Sequence, residues 1–411
     1  MTDMFDDELR RSLHTQADRI PRIPDLSRGA IRQARDIRRH RRIARGVAAA
    51  ALIAVALPVG LKVGDAISKT SREPEPVTPD GPKQVQLDLQ TLSAGDEPAV
   101  PYLDGRTIVG DGFEIDVPGK APIAGIAPVD DGVYVATGDG GAGWPMTRYS
   151  TNGDVEGLGT VLNGPVASTD GRWVAYLTGE TDEFGNSEGP ATLVLMDDDT
   201  GEESSVTLPA TADAYEVAIH AVADGTVYLS YDDRRSGRAV PMQTWSAGDP
   251  ALVPVPGDFD TTAVSPDGNV VAELTKVTDF GACSAVVDRA TESVLWRTCD
   301  YMVNGFTPDG DYVWAVPSNS EGYGPSAIAI LDAATGDLVR HYEPAARFQH
   351  PITFVDAVFE DDEHLLIQAE QDDGTALLRC EVLTEKCKTA EPLVQGTGMT
   401  GRSPYLLADV R

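Results

Sequence analysis

The chain is poor in the residues that most chemistry needs. Six histidines occur in 411 residues, and no two stand as His-x-x-x-His or His-Glu-x-x-His, the spacings that put two imidazoles on one helix face around zinc. The alternating acidic loop of a calcium site is missing, and the run Asp361-Asp362-Glu363-His364 reads as a solvated turn. The one Gly-x-Ser-x-Gly, Gly185-Asn186-Ser187-Glu188-Gly189, lies within the acidic loop 178–190 and opens no helix, so the usual strand–turn–helix nucleophile elbow is absent. Ser168 in STDGRW falls one residue short of a sialidase-type box, and the stretch is accounted for as a turn. The glycine-rich run GDGGAGW (138–144) lacks the Lys-Ser/Thr of a phosphate loop. These absences exclude the common metal, nucleophile and nucleotide sites, and they imply no cofactor. They leave open a carboxylate pair, since acids are abundant.

Basic residues are equally scarce outside one region. Residues 1–45 hold 12 Arg and 7 Asp or Glu, a net of +5. The remainder holds 33 − 12 = 21 basic and 65 − 7 = 58 acidic residues, a net of −37. That balance excludes nucleic acid and anionic membrane faces as partners of the larger part, because both require cationic surface. One long apolar run, GVAAAALIAVALPVGL (46–61), separates the two parts. Sixteen helical residues span about 24 Å against a hydrocarbon core of about 30 Å, and Lys62 can snorkel to extend the stretch to Gly64. Arg32, Arg35, Arg38, Arg39, Arg41, Arg42 and Arg45 lie just before it, which places the N-terminal side in the cytoplasm. The favoured organisation is a helical cytoplasmic leader (1–45), a single transmembrane helix (46–64), a proline-rich linker (65–84) and an extracytoplasmic domain (85–411). A cleaved signal and a buried helix are the rivals, Ala54-Val55-Ala56 having the small-x-small form of a cleavage site. Within the leader, residues 4–19 place Phe5, Leu9 and Leu13 on one helical face, a stripe suited to a cytoplasmic protein partner.

Beyond the linker a unit recurs. ASTDGRWVAYL (167–177), AVSPDGNVVAEL (263–274) and GFTPDGDYVWAV (305–316) each join two strands through Asp-Gly, and looser copies begin at 128, 221 and 357. Downstream, Asp197, Asp288 and Asp332 each open an Asp-x-x-Thr turn between two further strands. Four antiparallel strands at this period make one blade of a β-propeller. Six units are visible. The leftover segments 101–119 and 401–410 together suit a seventh blade built from both chain ends, so an all-β, seven-bladed propeller is favoured over six. Val174, Tyr176, Val271, Val313 and Leu366 fall on second strands as core positions.

The four cysteines all come late. The hairpin at Asp288 sets Cys283 opposite Cys299, and Cys380 and Cys387 flank a tighter hairpin, which predicts the disulfides Cys283–Cys299 and Cys380–Cys387 and an oxidising compartment. The Ser/Thr-Pro-Asp-Gly strand starts over 120–393 resemble those of WD-repeat and TolB-type propellers, without the Trp-Asp and Gly-His of strict WD repeats. The whole layout resembles actinobacterial single-pass membrane proteins with an Arg-rich leader and an exported propeller, some encoded beside extracytoplasmic-function sigma factors. That resemblance implies signalling. The leader lacks a His-x-x-x-Cys-x-x-Cys set, so it does not match a zinc-binding anti-sigma module.

The loops between second and third strands (137–145, 178–190, 231–239, 275–282, 317–325 and 370–375) are long, glycine-rich and aromatic, and loops on a rigid scaffold carry binding. Trp144, Asp232, Asp233, Arg234, Arg235 and Tyr323 are therefore the candidate binding residues, with Arg234-Arg235 pointing to an anionic group or merely neutralising the adjacent acids. The expected function is a non-enzymatic binding or sensing module of the cell envelope, its partner an extracytoplasmic protein or a glycan. The alternatives are an envelope hydrolase of glycan or peptide and an assembly scaffold.

Overall fold

A computed structural model describes residues 83–410, apart from 139–142, 182–186, 214–215, 235, 237, 256–260, 279–280, 320–323, 346–351, 373 and 396–402. The leader, the apolar run and most of the linker lie outside the described residues. Among the described residues no helix is long and apolar enough to cross a membrane. The chain divides into two units, and apart from Val277 and Thr278 the described residues belong to Ser68–Lys276 with Phe280–Arg411.

That unit is a seven-bladed β-propeller. Its seven sheets follow one another along the chain, six of four strands and one of five. Blades 1 to 6 occupy residues 123–161, 166–207, 218–254, 261–298, 301–344 and 352–395. Blade 7 takes its second, third and outer strands from Tyr102–Asp104, Thr107–Gly110 and Phe113–Asp116, and its inner strand from Tyr405–Leu407 at the other end of the chain. The six-blade alternative is thereby ruled out. Tyr102, Leu103 and Asp104 pair with Leu407, Leu406 and Tyr405. Strand alternation then sends Tyr102 toward blade 6, where it packs with Tyr405, Leu366 and Leu377. Leu103 goes the other way, into a cluster with Ile126, Val133 and Val135 of blade 1.

In blades 2, 4 and 5 the turn from inner to second strand is held by local hydrogen bonding. The Ser265 hydroxyl donates to Asp267 Oδ1 (2.6 Å) and accepts the Val270 N–H (2.9 Å). Thr307 repeats this with Asp309 (2.7 Å) and Tyr312 (3.0 Å), and Ser168 with Asp170 and Trp173. Gly171, Gly268 and Gly310 close these turns at φ of 70°, 69° and 79°, a region that penalises a Cβ. The second turn uses the aspartate as acceptor. Asp288 Oδ1 takes the N–H and hydroxyl of Thr291 (both 2.8 Å), and Asp332 does the same with Thr335 (2.8 and 3.0 Å). Those bonds, the backbone one first, hold the Asp288 carboxyl below the usual carboxylate range.

The second strands face the neighbouring blades as their pattern requires. Val174, Tyr176, Val271, Val313 and Leu366 are all buried. Val313 sits among Ala263, Ala272 and Val286 of blade 4. The structure joins Cys283 to Cys299 and Cys380 to Cys387 across the third and outer strands of blades 4 and 6.

Two features depart from the sequence reading. Lys83 and Gln84, assigned to the linker, begin a strand (Lys83–Leu87) that pairs in parallel with Leu338–Pro344 as a fifth, outermost strand of blade 5. Its alternation buries Val85 and Leu87 and exposes Gln84 and Gln86. The second-to-third-strand loops are also shorter than they read. In blade 2 the ladder continues through Thr181↔Ser187, and in blade 3 through Asp233↔Arg238. Ladder hydrogen bonds come from the backbone, so a polar composition does not by itself end a strand.

Two stability tests follow from this packing. Val313→Asp places an unpaired charge between blades 4 and 5 and should cost about 4 kcal/mol or more in denaturant unfolding. In blade 4 the residue after Thr291 is Glu292 at φ 53°, where blades 2 and 5 have Gly201 and Gly336 at 69° and 76°. Glu292→Gly should therefore stabilise by up to about 1 kcal/mol, and a loss of stability would show that the Glu292 side chain has a compensating role.

Candidate functional site

The inner strands converge on the propeller axis, where space is short. In five blades the ladder between inner and second strand slips by one residue, between Ile123/Gly125, Ile219/Ala221, Thr261/Ala263, Val303/Gly305 and Phe354/Asp356. A bulge leaves its extra residue unpaired and re-aims the side chains around it. The extra residues are Ala124, His220, Thr262, Asn304 and Val355, and four of the five residues that follow are Gly or Ala, which suits crowding at the axis.

A cavity of about 380 Å³ lies along this axis. His220, Thr262, Asn304 and Asp356 line it from blades 3, 4, 5 and 6, so four consecutive blades form a polar arc. The cavity runs on to the Ser/Thr-x-Asp-Gly turns, reaching Thr169, Pro266 and Pro308. The facing wall is the C-terminal segment, which leaves the inner strand of blade 7 and crosses blades 1 and 2. The Asp409 N–H donates to Ile126 O (2.9 Å), Asp409 O accepts the Ala167 N–H (3.0 Å), and Val410 bridges Ala167 in parallel. Among the described lining residues there is neither Lys nor Arg.

Trp314, on the second strand of blade 5, reaches the cavity because it pairs with Gly305. A Cβ at position 305 would collide with the indole Nε1 and Cδ1. His220 Nε2 lies 2.7 Å from Ser230 Oγ, which is itself buried. Ser230 shares a strand face with Tyr228, and Glu273 shares one with Val271; Tyr228 and Val271 meet in the seam between blades 3 and 4. Glu273 therefore lies in the same seam. It is 9% exposed, and burial pushes its carboxyl above the usual range.

The residues singled out from the sequence lie elsewhere. Trp144 is the first residue of the third strand of blade 1, half-buried against a core cluster of blades 1 and 2 and over Gly138. Asp232 and Asp233 are strand residues of blade 3, which corrects their reading as loop residues. Asp233 Oδ1 caps the following turn by accepting the N–H (2.7 Å) and hydroxyl (2.9 Å) of Ser236. Arg234 is on the surface with Nε 3.8 Å from Asp213 Oδ1. Arg235 and Tyr323 lie outside the described residues. Trp144 and the Asp232–Arg234 group stand on blades 1 and 3, with blade 2 between them, and none of them lines the cavity. Among the described residues no three His, Cys, Asp or Glu side chains gather where a metal ion would be held.

The sequence reading missed His220, Asn304, Asp356 and Trp314. The available signal was an alignment of the inner strands, IAGIA, IHAVA, TTAVS, VNGFT and FVDAV, in which one variable column precedes a column of mostly Gly or Ala.

Glu273 supplies a pH test. Its folded pKa is raised, so the associated stability is complete below the unfolded value of about 4.3 and is lost as pH rises through the folded pKa. Glu273→Gln should raise the melting temperature at pH 7 and give no gain below about pH 4. Equal gains at both pH values would mean that ionisation of Glu273 is not the cause.

No protein-family profile matches the chain, and no curated protein matches it by sequence. Similar solved structures share the propeller. An uncharacterised protein of Listeria monocytogenes is 12% identical with a TM-score of 0.50, over 68% of this chain and 85% of that one. TolB of Acinetobacter baumannii is 14% identical with a TM-score of 0.39, over 60% of this chain and 67% of that one. A prolyl endopeptidase is 12% identical with a TM-score of 0.44 over 67% of this chain. This chain spans 42% of that enzyme's length. At these identities the likeness is one of fold.

Proposed function

We propose that this protein is a binding or sensing module of the cell envelope, with no catalytic role, that takes its ligand in the axial cavity of the propeller. The observation that carries this reading is the polar arc, in which His220, Thr262, Asn304 and Asp356 reach one cavity from four consecutive blades. A concave site with a few convergent polar groups on a rigid scaffold is the usual form of a binding pocket. The reading includes a single-pass anchor over 46–64, with the N-terminus in the cytoplasm and the propeller outside. The Arg-rich flank and the apolar run support that topology, and the two disulfides are consistent with an oxidising compartment. The partner class is an extracytoplasmic protein or a glycan. Occupancy is passed to a cytoplasmic protein through the stripe Phe5, Leu9 and Leu13.

The test is recovery of cross-linked partners from envelopes with the full-length chain as bait. Thr262→Trp fills the cavity and should abolish recovery of the extracytoplasmic partner while the melting temperature stays close to that of the parent. The cluster Asp232→Ala, Asp233→Ala, Arg234→Ala should leave recovery intact. The reverse pattern would move the site to the loop face and overturn the assignment to the cavity.

A further inference from the structure

The residue pair just before each inner-strand bulge belongs to the layer between blades. In blades 3, 5 and 6 that pair is apolar and buried: Ile219↔Leu229, Val303↔Ala315 and Phe354↔Ala369. In blade 1 it is Ile123↔Thr137. Blade 4 alone of these five puts an acid there, in the pair Thr261↔Glu273, and both residues are buried, at 2% and 9% exposure. Directly opposed residues of an antiparallel pair point to one face, so the hydroxyl and the carboxyl share a niche in the seam with blade 3. Neither has a partner among the described residues. The Thr261 hydroxyl makes no hydrogen bond. Burial alone acts on the Glu273 carboxyl, with no charge or hydrogen bond to offset it. The two other buried acids among the described residues are matched, Asp197 by Arg172 at 2.6 Å and Glu343 by His341 Nδ1 at 3.7 Å. Glu273 also lies within a strand, Val270–Thr278, and holds no turn.

Two residues on from the contact between Tyr228 and Val271, Ser230 and Glu273 face the seam from opposite sides. Ser230 Oγ is 2.7 Å from His220 Nε2. Donating to a neutral imidazole uses the hydroxyl proton and leaves the oxygen lone pairs free. We propose that this niche between blades 3 and 4 binds a monovalent metal cation, sodium or potassium, through the Glu273 carboxylate and the hydroxyl oxygens of Thr261 and Ser230. Charge and donor count select the ion. One carboxylate balances one positive charge, whereas calcium takes six to eight oxygens and several carboxylates. Other blades fill this layer with a single apolar pair, which leaves no room for an organic cation. The net charge of −37 beyond residue 45 raises the local concentration of any cation. The ion ties blade 3 to blade 4 where other seams use apolar contact, and through Ser230 it fixes the His220 ring at the cavity wall.

Thermal melting of the full-length chain in detergent tests this, in sodium, potassium or choline chloride at matched ionic strength. Choline screens surface charge equally, so a difference between salts reports a site. Sodium or potassium should raise the melting temperature saturably, by about 2 °C or more over choline, and the more effective of the two names the ion. Glu273→Gln should lose that increment, and its own gain over the parent at pH 7 should be largest in choline. Thr261→Val removes one oxygen ligand at nearly constant shape and should weaken the apparent affinity about tenfold. No increment in the parent is the outcome of a niche satisfied by a proton and water, and it overturns the proposal. An increment that Glu273→Gln retains or that Thr261→Val leaves unweakened overturns it as well, as does calcium acting at lower concentration than either monovalent ion.

Discussion

The pairing of Tyr405–Leu407 with Tyr102–Asp104 is the interaction on which the remaining structure depends. A propeller is a row of sheets until its first and last elements meet, and an unclosed row would expose a face of blade 6, a face of blade 1 and the edges of every strand left over. The ladder itself is only three residue pairs long. Its strength comes from side chains. Tyr102 and Tyr405 meet edge to face at 6.4 Å, and both phenols reach the outer strand of blade 6, at Glu391 and at Pro392 O. Burial, and then the Glu391 carboxylate, push the Tyr102 phenol upward, so it stays a donor. Leu103 commits the opposite side to blade 1. The same C-terminal segment, continuing to Asp409 and Val410, forms one wall of the axial cavity, so ring closure and the shape of the site are set together.

Many of the acids that give the chain its charge are turn-makers. Asp170, Asp267 and Asp309 hold the first turn of their blades, and Asp197, Asp288 and Asp332 hold the second. Burial works against ionisation of Asp267, yet bonds from Ser265 and Asn269 keep its carboxyl below the usual range. The guanidinium of Arg172 does the same for Asp197 across a 2.6 Å contact. These carboxylates are spent on backbone geometry. An acidic surface on this scaffold is therefore weak grounds for inferring a cation or an acidic active site.

The segment that enters the propeller is also tied down. After the parallel strand on blade 5, the Leu89 N–H donates to the buried Gln371 Oε1 (2.7 Å) and the Ala99 N–H to Glu360 Oε1 (2.6 Å), both on blade 6. Val85, Leu87 and Leu89 join the core cluster of blades 5 and 6. The segment from Lys83 to Ala99 is thus held on blades 5 and 6, the blades that supply Asn304, Trp314 and Asp356 to the cavity.

The sequence by itself determined the blade. Ser265-Pro-Asp-Gly and Asp332-x-x-Thr are local hydrogen-bonding units, complete within a few residues, and the period-2 pattern of Val174, Tyr176 and Val313 needs only a strand to take effect. The opposed cysteines followed from the same hairpin register, and the two leftover segments already implied a shared seventh blade. The axial cavity is visible only in the tertiary structure. Whether Asn304 or His220 faces the axis depends on a one-residue slip between strands, whose trace in the sequence is only the Gly or Ala that follows the slip in four of five blades. Which residues share the cavity depends on blades hundreds of residues apart converging on one axis, with Leu406 beside Ile126. Asp232, Asp233 and Trp144 read as loop residues for the converse reason: their polar and aromatic neighbourhood looks like a loop, while the ladders of blades 3 and 1 run through them.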